Sequence, residues 1–209
     1  MVHYKLIYFN SRGYAETARQ LFALAEVEYE DIRFEHQGPE WPKLKPNTPF
    51  GQVPLLEVDG KQIPQSLAIT RYLANKFGYA GKSDEDKAWA DAFADQIKDL
   101  IILFGPYHIA KHAGKSADEL SAILKDSVRP GLEQFYTIIA KYLKQSKSGF
   151  LLDSGITYPD LILAELTTII DNVDPIDKSK HPELFEHQNK VRSIPQIKKW
   201  IEKRPVTEN

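Results

Sequence analysis

The apolar pattern of the first eighty residues reads strand, helix, strand, loop, strand, strand, helix. "YKLIYF" (4–9) is rich in β-forming residues, and "YAETARQLFALA" (14–25) puts Ala18, Leu21, Phe22 and Ala25 on one helical face. "VEYEDIRF" (27–34) returns as a strand, and "QGPEWPKLKPNTPFGQ" (37–52) carries four prolines and predicts mostly loop. Val53 to Val58 is an apolar run, Asp59-Gly60 a two-residue hairpin turn, and Lys61 to Ile63 the start of the return strand. "SLAITRYLANKF" (66–77) then closes this part as a helix, with Leu67, Ile69, Leu73 and Phe77 as its buried candidates. A βαβ unit followed by a hairpin and a helix predicts a small mixed sheet covered by helices.

From about residue 80 the pattern changes. "GYAGKSDED" (78–86) is a charged connector containing glycine, and no strand pattern follows it. Ser83-x-x-Asp86, Ser116-x-x-Glu119 and Thr157-x-x-Asp160 are N-terminal helix signatures, the third with Ile156 and Leu161 spaced for a hydrophobic staple. Pro182 and Pro195 suit first-turn positions, while Pro130 interrupts the helical pattern from 117 to 144 and predicts a kink there. The expected fold class is an α/β N-terminal domain, residues 1–79, followed by an all-α helical bundle, residues 80–209.

Composition narrows the chemistry. The 27 basic and 29 acidic side chains nearly cancel, at a formal charge of −2, with no sustained basic run, which argues against nucleic acid as a partner. No segment is apolar over a membrane-spanning length, and the charged start "MVHYKLIYF" does not read as a signal peptide. The absence of cysteine excludes disulfides, thiolate metal sites and protein-thiol redox catalysis, and suits a cytoplasmic location.

Few residues offer reactive chemistry. Tyr8 ends the first strand; it is either a core ring with a solvated hydroxyl, or a phenol beside a helix N-terminus where it can hold an anion by donating a hydrogen bond. His108 and His112 have i, i+4 spacing but lack a third ligand, which favours solvated helix residues over a metal site. Asp91, Asp95 and Asp99 recur on one helix face. A solvated stripe is the reading for the first two, whereas Asp99 borders the apolar run "LIILF" and suits an interface or pocket rim. Trp41 in the proline-rich segment is either a lid over the core or a ligand contact. Pro54 cannot donate to a sheet ladder, and Gln65-Ser66 stands where the first amides of a helix lack internal partners.

"YKLIYFNSRGYAETARQLFALAEVEYED", "PFGQVPLLEVDGKQIPQSLAITRYLA" and the ending "IPQIKKWIEKRP" resemble cytosolic glutathione transferases, with the sigma class the nearest match, including haematopoietic prostaglandin D synthases and many nematode enzymes. The resemblance spans the chain and is densest in the first half, which it implies is thioredoxin-like. It implies a cytoplasmic detoxifying homodimer that conjugates glutathione to hydrophobic electrophiles, with glutathione as co-substrate and no other cofactor or metal. In such enzymes the bond before the residue matching Pro54 is cis, and the backbone at Val53 pairs with glutathione as with an added strand. Gln65 and Ser66 bind the γ-glutamyl carboxylate at a helix start. Trp41 and Lys45 hold the glycyl end with Gln52 beside them, and Asp99 reaches the γ-glutamyl ammonium across the dimer interface. Tyr8 matches the catalytic tyrosine, whose hydroxyl donates to the glutathione sulfur. The electrophile pocket is expected from Phe9, Arg12, Gly13, Tyr14, Phe104, Tyr107 and His108.

Departures limit the match. Tyr14 stands where the prostaglandin synthases have arginine, Pro106 where they have a pocket tryptophan, and Lys98 interrupts the acidic cluster that binds a divalent ion in one vertebrate member. These point to a broad conjugator rather than a dedicated prostaglandin H2 D-isomerase. A non-catalytic carrier of haem or other hydrophobic ligands, or a lens-type structural protein, is the alternative class. A thiol-disulfide oxidoreductase is opposed by the lack of cysteine.

Overall fold

The computed structural model describes residues 2–207, with the side chain of His112 outside the description. The chain forms two compact units, the first made of residues 1–80 and 192–209 and the second of 81–191.

The first unit holds a four-stranded sheet in the order β2-β1-β3-β4, with β1 Tyr4–Phe9, β2 Glu30–Phe34, β3 Leu55–Val58 and β4 Lys61–Pro64. β1 and β2 are parallel, while β1–β3 and β3–β4 are antiparallel. The helix α1 (Glu16–Ala25) provides the βαβ crossover, opened by a 3-10 turn at Gly13–Ala15, and α3 (Ser66–Phe77) follows the hairpin. The hairpin turns where the sequence places it, because Asp59 and Gly60 both take positive φ, 49° and 80°, which a two-residue turn of matching twist requires.

Alternation along β1 sends Tyr4, Leu6 and Tyr8 to one face and Ile7 and Phe9 to the other. Leu6, Leu21, Phe22, Leu55, Leu56 and Leu73 are fully buried, each worth about 1.5–3 kcal/mol of burial. Tyr4 meets Phe22 edge-on at 5.3 Å. On the opposite face Ile7, Phe34 and Leu55 form a smaller cluster capped by Phe9, Trp41, Leu44 and Val53.

Two sequence expectations change here. The segment 37–52 is not merely loop: it contains α2 (Glu40–Leu44) and a 3-10 turn at Lys45–Asn47. Pro39 precedes α2 and Pro42 falls in its first turn, where an amide has no helical acceptor to lose. The split at 79/80 also leaves out a second crossing. The closing helix α10 (Pro195–Lys203) packs on α1 in the first unit, where Trp200 Nε1 donates to Glu16 Oε1 at 2.7 Å and Arg204 Nη1 to the same oxygen at 2.6 Å.

The second unit has helices and no strand among its described residues: α4 (Asp84–Leu103), α5 (Gly105–His112), α6 (Ala117–Ile123), α7 (Arg129–Gln145), α8 (Tyr158–Val173) and α9 (Pro182–Arg192). Ser83 caps α4 through the Asp86 amide at 3.0 Å, and Ser116 with Glu119 forms a capping box on α6. The expected kink near Pro130 takes the form of a π-helical turn, Leu124–Val128, which ends at the residue before α7 and puts Pro130 in that helix's first turn. Asp91 is not simply solvated, since it accepts the Tyr158 hydroxyl and so ties α4 to α8. None of the described helices is long and apolar enough to cross a membrane.

Candidate functional site

The turn from β1 into α1 gathers the candidate chemistry of the first unit. Tyr8 is 6% exposed, so its phenol sits inside the unit and not on a solvated strand end. Its hydroxyl oxygen accepts the backbone N–H of Tyr14 at 3.2 Å. That bond uses a lone pair and leaves the hydroxyl proton to be donated elsewhere. Burial, the largest influence, holds the phenol above the ordinary tyrosine value, so it stays a protonated donor across the neutral range.

Gly13 makes this arrangement possible. It takes φ +37°, and a Cβ there would stand 2.7 Å from the Tyr8 hydroxyl oxygen. We expect Gly13→Ala to displace the phenol and lower any turnover that depends on it by about 10-fold or more, since a displacement near 1 Å is costly in catalysis. Steady-state kinetics on the folded variant checks this, and unchanged turnover would show that the hydroxyl position is not critical.

Phe9 continues from Tyr8 on the other face of the strand. It stacks with His36 at 4.1 Å and meets Trp41 edge-on at 5.6 Å. Trp41 is therefore half-buried as a lid over the Ile7–Phe34–Leu55 cluster, one of the two roles the sequence left open. Lys45 is exposed, and its stem runs beside Gly51, whose added Cβ would lie 3.6 Å from Lys45 Cε.

The segment 51–66 brings the next group together. The Val53–Pro54 bond is cis, and the paired ladders of β3 begin at Leu55, so Val53 lies outside them. Gln65 Nε2 donates to Gln52 Oε1 at 3.0 Å, joining two candidates thirteen residues apart. Gln65 has φ +75°, a conformation costing a non-glycine residue about 1–3 kcal/mol, as the residue just before α3. The amides that begin α3 face outward from its N-terminus with no helical acceptor, which suits a carboxylate.

The remaining candidates belong to the second unit. Asp99 is exposed on α4. Phe104 and Tyr107, expected as pocket lining, are 5% and 8% exposed and belong to the unit's core cluster with Leu100, Leu124 and Leu132. Each leaves little of its side chain exposed. His108 is exposed, its ring edge-on to Tyr107 at 5.6 Å.

One group was missed from sequence. Arg19 has no exposed side-chain surface, yet it carries a charge in the unit that holds Tyr8. Its signal was its register: it lies between Ala18 and Phe22 on the apolar face of α1.

Two family models match the chain. Residues 4–75 match the family model of the glutathione S-transferase N-terminal domain, and residues 104–204 that of the C-terminal domain. Glutathione S-transferase 4 of Caenorhabditis elegans is 45% identical over 202 residues, 96% of each chain. A Nu-class GST from Haemonchus contortus has a solved structure at TM-score 0.89 and 49% identity, covering all of both chains. A monomeric glutathione S-transferase from the hookworm Necator americanus aligns at TM-score 0.91 and 45% identity, over 99% of this chain and 100% of that one.

Proposed function

The chain belongs to the glutathione S-transferase family, and we propose that Tyr8 activates the glutathione thiol as a thiolate for conjugation to hydrophobic electrophiles. The observation that carries this reading is a buried, protonated phenol whose oxygen already accepts the Tyr14 amide, leaving its proton to donate to sulfur. An amide bonded to the oxygen polarises the hydroxyl and strengthens it as a donor.

The glutathione peptide needs two carboxylate sites and one ammonium site. The outward amides at the start of α3, with Gln65 held by Gln52, suit the γ-glutamyl carboxylate, and exposed Lys45 near Trp41 suits the glycyl one. The backbone of Val53, before Pro54, is the proposed pairing edge. Exposed Asp99 is the proposed ammonium partner, contributed by a second copy. A homodimer is therefore part of this reading, although the Necator americanus relative is monomeric. Asp99→Ala should weaken glutathione binding by about 1–3 kcal/mol without unfolding the chain, as expected for a lost charged hydrogen bond. Titration calorimetry beside light scattering checks it, and an active monomer with unchanged affinity would remove the dimer from the account.

For the electrophile, Phe9 and the 54%-exposed Tyr14 present aromatic surface, which selects for hydrophobicity more than shape. Arg12 and Gly13 complete the proposed contacts of this unit. With Tyr14 in place of an arginine, we expect weak prostaglandin-isomerase activity, and we place the chain on the nematode side of the sigma-type enzymes as a cytoplasmic detoxifying protein. The test is retention on immobilised glutathione followed by conjugation of an aryl halide. Binding of apolar ligands such as haem without thiol turnover would mark a carrier instead.

A further inference from the structure

Arg19 lies on α1 with no exposed side-chain surface. Its Nη1 donates to the Ser11 carbonyl at 2.6 Å, and its Nε to Asp31 Oδ1 on β2 at 3.2 Å. Asp31 also accepts Arg33 Nε at 2.8 Å. Glu16, 2% exposed, lies 3.6 Å from Nη1 and is itself held by Trp200 and Arg204 of the C-terminal segment. The guanidinium carbon stands 6.0 Å from the Tyr8 ring centroid. A buried arginine is costly to desolvate, and a fold with only a core to fill would be at least as stable with an apolar side chain of similar volume. The partners show what the guanidinium does instead: its planar fork ties Ser11, in the turn after Tyr8, to β2, and the charge sits under the Tyr8 ring.

We propose that Arg19 is a positioning residue for Tyr8, holding the Ser11–Tyr14 turn so that the Tyr14 amide and the phenol keep their alignment toward the glutathione sulfur. This rests on the catalytic reading of Tyr8. Within the turn, Ser11 N–H bonds back to the Phe9 carbonyl at 2.7 Å and Ala15 N–H to the Arg12 carbonyl at 3.2 Å. Lysine keeps the charge but cannot reproduce two directed bonds from one planar group.

The test uses the full chain with Arg19→Lys, Arg19→Gln, Tyr8→Phe and the double variant Tyr8→Phe/Arg19→Lys. Both Arg19 variants should lower kcat by about 10-fold, with a smaller change in KM for glutathione, and should move the acidic limb of the kcat/KM profile to higher pH. In the Tyr8→Phe background the Arg19→Lys effect should nearly vanish, because two changes acting through one group are not additive. A folded Arg19→Lys with wild-type kcat and pH profile overturns the proposal, and so does an equal loss in both backgrounds. If neither Arg19 variant folds, Arg19 belongs to the fold alone and the proposal is likewise overturned. If Tyr8→Phe itself keeps full turnover, the catalytic reading of Tyr8 has failed, which the Arg19 data would not by themselves show.

Discussion

Tyr8→Phe should lower turnover by about 10²-fold while leaving glutathione affinity within a few-fold of the native value, as when a preorganised donor to developing charge is removed. The substitution deletes one oxygen and keeps the ring, so the packing of Tyr8 against Phe9, with centroids 5.4 Å apart, should survive. What it removes is the proton that the Tyr14-bonded hydroxyl is proposed to present to sulfur. The groups proposed to bind the peptide, Lys45, Gln52, Gln65, Ser66 and the backbone at Val53, are left untouched by the change. The expected pattern is thus a fall in kcat with little movement in Kd for glutathione. Near-native turnover would transfer the role to a neighbour in the turn, with Ser11 and Arg12 the residues to test next.

Asp160→Ala should cost about 3 kcal/mol or more of stability, since each buried donor left without a partner costs about 1–3 kcal/mol. Asp160 is fully buried at the start of α8, and its two oxygens serve four donors. Oδ2 accepts the Thr157 amide at 2.8 Å and the Thr157 hydroxyl at 2.9 Å. Oδ1 accepts the Leu151 amide at 2.8 Å and lies 2.9 Å from His187 Nε2 on α9. Alanine would strand all four donors in a dry interior and loosen the cap, the Leu151 loop and α9 together. Thr157→Ala, which removes one of the four, should cost about 1 kcal/mol. Urea unfolding of the two variants measures the difference, and a loss below that of Thr157→Ala for Asp160→Ala would contradict the shared-anchor account.

Features governed by local chemistry were legible in the sequence. The Asp59-Gly60 hairpin needs two positive-φ residues in a row, and few other residue pairs supply them. The caps at Ser83, Ser116 and Thr157 depend on side chains three residues apart. Other features depend on partners distant in sequence. The α10 pattern tells that Ile197 and Trp200 are buried, but nothing in it identifies α1 and Glu16 as what they meet. Arg19 stood in an apolar stripe, yet its partners come from Ser11, Asp31 and Glu16, and only the fold brings them to one point. Helical spacing marked Phe104 and Tyr107 as apolar-facing but could not tell core from pocket wall. The short helix α2 was hidden because prolines read as breakers, while the first turn of a helix tolerates them.

The central claim is that Tyr8 makes bound glutathione ionise more readily than it does in water. Ultraviolet difference absorbance of the enzyme–glutathione complex, followed against pH, reads the thiolate directly. A free thiol titrates near 8.5, and the native complex should titrate about two units lower, a difference of roughly 2.7 kcal/mol, close to what one charge-assisted hydrogen bond supplies. In Tyr8→Phe the midpoint should return toward the free value with glutathione still bound. Equal midpoints in the two proteins, or a native midpoint no lower than that of the free thiol, would contradict the account.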